Sequence, residues 1–125
     1  EIKATLTTAA HTPHHELWVV FQPHTYTRTK ALFEEFADAL KGFDHVIIVD
    51  IYAAREVNTI GVTSEDIVSR INEMGTKASY IPDFPSIAEY LRSKLRDGDI
   101  LVSMGAGYAY KVSNILLEEI DDLGR

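Results

Sequence analysis

The sequence contains no cysteine, which excludes disulfides and thiolate metal sites and fits a reducing compartment. Long apolar runs are missing as well. The longest, Leu17 to Phe21 and Val46 to Val49, have the length of buried strands and fall far short of the roughly 20 residues a membrane-spanning helix needs. Positive charge is scarce: 12 Lys and Arg against 19 Asp and Glu give a formal net charge of −7. Nucleic-acid binding relies on clustered cations that release counterions, so nucleic acid is not an expected partner. Gly-Lys-Ser and Gly-Lys-Thr do not occur, so the chain has no Walker-type phosphate loop of its own. The N-terminus shows no signal-peptide pattern, and the chain starts at Glu1, inside a stretch that reads as helix from Glu1 to Ala10. We therefore expect a cytoplasmic piece of a longer protein.

What is present is enough for one domain, since 125 residues with 46% hydrophobic content can bury a single sizeable core. Short apolar runs predict strands at Leu17 to Phe21, Val46 to Asp50, Ala78 to Ile81 and Ile100 to Ser103. Helical spacing fills the gaps. Leu32, Phe33, Phe36 and Leu40 predict one helix, with Gly42 as a left-handed stop. Thr63 or Ser64 caps a second, with Ile67, Val68, Ile71 and Met74 inward and Gly75 closing it. Asp83 and Pro85 open a third, with Ile87, Leu91 and Leu95 inward and an Asp97-Gly98 turn at its end; Val112, Ile115, Leu116 and Ile120 predict a fourth. Strand and helix alternating at this spacing predict an α/β, Rossmann-like three-layer domain with a mostly parallel sheet. Ligands in such sheets bind at the C-terminal strand edge, where three loops stand out: Gln22 to Arg28, Tyr52 to Glu56 and Gly105 to Lys111.

Several motifs yield to plainer explanations. Gly105-Ala106-Gly107-Tyr108-Ala109-Tyr110 has two of the glycines of a dinucleotide fingerprint, but Tyr110 replaces the third and the segment follows the last strand instead of the first. A tight turn explains it. His11, His14 and His15 cluster in a polar loop without the second histidine of a zinc helix, so no metal site is expected. Ser103-Met104-Gly105 lacks the leading glycine of a nucleophile elbow, Leu101 standing there instead. No catalytic residue is expected in this chain.

The most informative stretch is Gln22-Pro23-His24-Thr25-Tyr26-Thr27-Arg28-Thr29. Free backbone N–H groups, hydroxyls, an imidazole and a guanidinium at a helix start could converge on an anion. Equally, Thr27 or Thr29 could cap the helix while Arg28 pairs with Glu34 or Glu35. Spacing alone leaves both open.

This segment resembles the Mur ligases, in particular the alanine-adding members, whose C-terminal domain carries a Gln-Pro-His segment ending in Thr-Arg or Ser-Arg. Further landmarks follow in order: Asp50-Ile51-Tyr52-Ala53-Ala54-Arg55-Glu56, Gly61-Val62, Ser64-Glu65-Asp66, Ile81-Pro82-Asp83, Asp97-Gly98-Asp99 and Met104-Gly105-Ala106-Gly107. The opening Glu1-Ile2-Lys3-Ala4-Thr5-Leu6 is similar to the residues just after the family's Tyr-x-His-His-Pro-Thr signature. Two departures stand out: many relatives have Arg where this chain has Thr25, and most have Asp where it has Tyr108.

The resemblance implies a role. Residues 1–125 would form the amino-acid-side domain, and the UDP-sugar and central ATPase domains would lie elsewhere as its partners. The complete enzyme would use ATP and magnesium to phosphorylate the muramoyl carboxylate of UDP-N-acetylmuramate, and the amine of L-alanine would attack the acyl phosphate. Arg28, His24 and Thr25 would face the amino acid, with loop contacts possible from Tyr52, Arg55, Gly105, Gly107 and Lys111. Alone, the domain would be inactive and would bind neither ATP nor metal. The rival expectation is a stand-alone acidic Rossmann-like module that binds a nucleotide or a protein.

Overall fold

The computed structural model describes residues 1–105, so the helix expected around Val112 to Ile120 lies outside the described residues. Elements run in the order α1 (Ile2–Ala10), β1 (Leu17–Gln22), α2 (Tyr26–Ala31), α3 (Phe33–Leu40), β2 (His45–Ile48), α4 (Ser64–Glu73), β3 (Lys77–Tyr80), α5 (Phe84–Lys94) and β4 (Ile100–Gly105). The four strands form one parallel sheet in the order β3-β2-β1-β4.

All six residues of β1 are buried, as befits a strand paired on both edges and covered on both faces. Its alternate side chains go to separate cores. Leu17, Val19 and Phe21 join Val46 and Ile48 beneath Ala9 of α1, Ala37 and Leu40 of α3, and Ile67 and Ile71 of α4. Trp18 and Val20 join Ile47 and Val49 beneath Ile87, Ala88 and Leu91 of α5. Leu40, Ile67, Ile71, Ile87 and Leu91 are wholly buried, and each such side chain contributes about 1.5–3 kcal/mol of hydrophobic stabilisation.

Helix starts follow the local chemistry. Thr63, rather than Ser64, caps α4 in a reciprocal box: its hydroxyl accepts from Asp66 N, and Asp66 Oδ2 accepts from Thr63 N at 2.9 Å. Ser64 instead donates its buried hydroxyl to Val49 O at 2.6 Å, fixing α4 to the end of β2. Asp83 caps α5 by accepting from Ser86 N, and Pro85 lies in its first turn.

Three expectations need correction. The helix read through Leu32 is two segments, because Leu32 leaves helical geometry at φ −109° and ψ 18°. Apolar spacing cannot reveal such a break, since Leu32, Phe33, Phe36 and Leu40 stay on one side through it. Gly42 is not a left-handed stop: α3 ends on Lys41 in right-handed geometry, and a Cβ on Gly42 would overlap Leu6 Cδ2 of α1. That glycine lets α1 lie close. Finally, α5 ends at Lys94, where Leu95 turns extended before reaching the Asp97-Gly98 turn.

The N-terminal edge of the sheet is gathered on one carboxylate. Asp99 Oδ1 accepts from Glu16 N at 3.0 Å and from His15 Nδ1 at 2.9 Å; Oδ2 accepts from Arg96 N at 2.9 Å and Trp18 Nε1 at 3.2 Å. Its side chain is 2% exposed. Burial alone would raise the Asp99 pKa, but the bonds from Arg96, His15, Glu16 and Trp18 outweigh it and hold the carboxyl below its ordinary value near 3.8. A folded-state pKa below the unfolded one stabilises fully above the unfolded value, and that stability is lost as pH falls through the folded one. Asp99→Ala, which strands four donors, is expected to cost about 2–3 kcal/mol of stability in denaturant melts at pH 7. The difference from the native chain should shrink as pH falls below about 4; a gap that does not change with acid would contradict the role given to the ionised carboxylate.

Candidate functional site

After β2 the chain moves outward to β3, whereas β4 is added on the other side of β1. The carboxyl ends of β1 and β4 therefore flank a topological switch point, the usual position for a ligand in an open parallel sheet. An open cleft of about 490 Å³ lies there, lined by Phe21, Gln22 and His24, by Arg28, Leu32, Glu35 and Phe36, by Met104 and Gly105, and by Glu1 to Lys3 at the start of α1.

The turn from β1 into α2 is held by two loops acting on each other. Tyr52 N donates to Pro23 O at 2.9 Å and Thr25 N donates to Tyr52 O at 2.8 Å, a parallel bridge that also stacks the His24 and Tyr52 rings at 5.6 Å. Thr25 caps α2 with φ 62° and ψ 152°, a strained conformation for a β-branched residue that costs about 1–3 kcal/mol. Its hydroxyl accepts from Arg28 N at 3.2 Å, and its carbonyl accepts from the Thr29 amide and hydroxyl. The cap is thus Thr25, and neither Thr27 nor Thr29. Glu56, half-buried at the far end of the second loop, accepts with Oε1 from Tyr26 N at 2.8 Å and Thr27 N at 3.0 Å. The Thr27 amide, then the Thr27 hydroxyl, hold the Glu56 carboxyl below its ordinary value; partial burial opposes them, and the Tyr26 amide and nearby His24 reinforce them.

These bonds change what the turn can offer. The expected free N–H groups of Tyr26, Thr27 and Arg28 are all taken from within the chain, so what the turn presents to the cleft is side chains, the Arg28 guanidinium and the His24 imidazole. The surface pair that spacing left open for Arg28 is not formed. Glu34 binds Arg70 at 3.1 Å, and among the described residues no ion pair joins Arg28 to Glu35, though both line the cleft. His24, Arg28 and Gly105 come together on the cleft; Tyr52 supports His24 and Thr25 from the side. Arg55 is exposed and away from the cleft lining, while Gly107 and Lys111 lie outside the described residues. Glu56 went unassigned in the sequence because its partners are backbone amides 29 and 30 residues away, which no local pattern marks.

Gly105 has a structural explanation. It sits at φ 106° opposite Gln22, and a Cβ there would overlap the Gln22 carbonyl oxygen. One trio among the described residues, His15, Glu16 and Asp99, brings possible metal-ligand atoms within 4.8 Å of one another. It lies at the opposite edge of the sheet, and both Asp99 oxygens already accept two hydrogen bonds each. Among the described residues no helix is long and apolar enough to cross a membrane.

A parallel Rossmann-like sheet with a cleft at its switch point defines an α/β domain with a candidate ligand site. Its particular kind is given by descent: the family described as "Mur ligase, glutamate ligase domain" matches residues 1–107, and the chain belongs to that family. It is similar to UDP-N-acetylmuramate--L-alanine ligase of Lachnospira eligens, 52% identical over 118 residues, covering 94% of this chain and 26% of the relative. The same-named protein of Acetivibrio thermocellus is 49% identical over 119 residues, covering 95% and 25%. The fold matches that of UDP-N-acetylmuramate-alanine ligase MurC from Thermotoga maritima with a TM-score of 0.74 at 21% identity, over 97% of this chain and 24% of that one. The chain spans about a quarter of the length of these relatives. Family membership gives this domain ligase kin, which weighs against the rival expectation of an unrelated binding module.

Gly105→Ala is expected to lower stability by at least about 2 kcal/mol, because positive φ and a backbone clash coincide where nothing flexible can yield. Chemical denaturation provides the comparison; a loss below about 0.5 kcal/mol would mean that β1 and β4 separate freely at this end.

Proposed function

We propose that this chain is the amino-acid-side domain of a cytoplasmic ligase that joins L-alanine to UDP-N-acetylmuramate during peptidoglycan precursor synthesis. In this reading its partners are a central ATPase domain and a UDP-sugar domain outside these 125 residues. The single observation that carries it is Arg28: a guanidinium on the wall of the switch-point cleft, with no ion pair among the described residues. The printed names of the relatives supply the substrate class.

L-Alanine is zwitterionic, and the two ends of it need opposite treatment. A planar guanidinium can take the carboxylate by two parallel hydrogen bonds and leave the amine free to act as nucleophile. The neutral Thr25 hydroxyl adds no second charge and is committed to the Arg28 amide, so Arg28 carries the recognition of the carboxylate. Phe21, Leu32, Phe36 and Met104 give the cleft apolar walls, which strengthen such a pair by excluding water, and water is the nucleophile that competes with the amine. Closure of this domain on its partner would complete that exclusion.

ATP and magnesium are implied by the activity, but the residues described form no cradle for the ATP phosphates. No Gly-Lys-Ser or Gly-Lys-Thr loop occurs, the amides opening α2 are occupied by Glu56 and Thr25, and the backbone at Gly105 lies against Gln22. Phosphate chemistry is assigned here to the other domains, and no step of it to this chain.

Arg28→Ala in the complete ligase is expected to raise the KM for L-alanine about 10- to 100-fold, with the KM for ATP little changed. Arg28→Lys should restore part of the loss, because an ammonium lacks the planar fork. Steady-state kinetics with L-alanine varied at saturating ATP and UDP-N-acetylmuramate gives the answer, and an unchanged KM for L-alanine would remove Arg28 from the site.

A further inference from the structure

Glu56 stands out because nothing in the recognition of the amino acid requires it, yet it makes the only link from the end of the second loop to the first turn of α2 among the described hydrogen bonds. One oxygen takes two consecutive amides, Tyr26 and Thr27, from a distance of about thirty residues along the chain. The next amide, Arg28, is held by Thr25, whose own amide is held by Tyr52 at the start of the same second loop. The His24–Arg28 turn is therefore clamped at both ends by residues 52–56. Between the clamps it carries the strained Thr25 backbone, and strain of this kind persists only where the surroundings over-determine it.

We propose that Glu56 is a positioning residue: its carboxylate holds the first turn of α2 so that Arg28 faces the cleft, and it fills the place at those amides that a ligand carboxylate would otherwise contest. The second part bears on specificity. A carboxylate drawn to the amides would turn the amino acid away from the guanidinium, whereas a carboxylate already seated there repels it and favours the Arg28 side of the cleft. Glu56 touches no substrate in this account; it acts through the turn. The amides that lower its pKa keep the clamp charged to a lower pH than a free glutamate would be.

The inference rests on the reading of the cleft given above, so its test has two arms. In the complete ligase, Glu56→Ala should raise the KM for L-alanine about tenfold, with kcat and the KM for ATP within about twofold. Glu56→Gln keeps a neutral acceptor and loses the charge, so it should fall between the two. In the 125-residue chain, hydrogen exchange followed by NMR should show Tyr26 and Thr27 amides exchanging about tenfold faster or more in Glu56→Ala, with β1 and β2 amides unaltered. Unchanged exchange at Tyr26 and Thr27 would overturn the clamp. Faster exchange with an unchanged KM for L-alanine would overturn its link to the amino acid. In that case Arg28→Ala locates the error: if it raises the KM, Glu56 alone was misjudged, and if it does not, the reading of the cleft fails with it.

Discussion

The buried carboxylate of Asp99 joins the starts of the two strands whose far ends carry the cleft. By accepting from Glu16 N, Trp18 Nε1 and Arg96 N it fixes where β4 begins relative to β1, and the parallel register then runs from Leu17 opposite Ile100 to Gln22 opposite Gly105. A slip of one residue would send Trp18 and Val20 to the wrong face of the sheet. It would also place a residue with a Cβ against the Gln22 carbonyl, where only glycine fits. Chemistry at one edge thus sets the geometry of a site at the other.

Much of the fold is legible because burial on both faces leaves a direct mark. The four apolar runs are the four strands, with ends that differ by one or two residues, and Thr63 and Asp83 cap where short polar side chains precede an amphipathic stretch. What the pattern hides is contact between distant segments. Gly42 reads as a helix stop until α1 is found against it, and Leu32 keeps its apolar spacing through a break in the helix. The site divides the same way. Arg28, His24 and Gly105 can be picked out because their loops leave the carboxyl edge of the sheet, while the capture of the α2 amides by Glu56 depends on how two loops meet. That capture removes one of the two readings that spacing left open, since the helix start already holds a carboxylate.

A Rossmann-like domain ordinarily turns the helix after its first strand toward a phosphate. Here the six-residue α2 has Thr25 and Glu56 on its three opening amides. In the proposed reading, anion recognition passes from a backbone cradle, suited to phosphate, to the Arg28 guanidinium, suited to a carboxylate. On that reading the sheet would serve amino-acid binding without competing for nucleotide.

The central claim is that Arg28 receives the carboxylate of L-alanine. Its most direct test is the side-chain Nε–Hε resonance of Arg28, observed by NMR in the complete ligase held with UDP-N-acetylmuramate and a non-hydrolysable ATP analogue. Addition of L-alanine should shift that resonance saturably and slow its exchange with water, and ethylamine, which lacks the carboxylate, should not. A resonance that stays unmoved while L-alanine demonstrably binds would contradict the account.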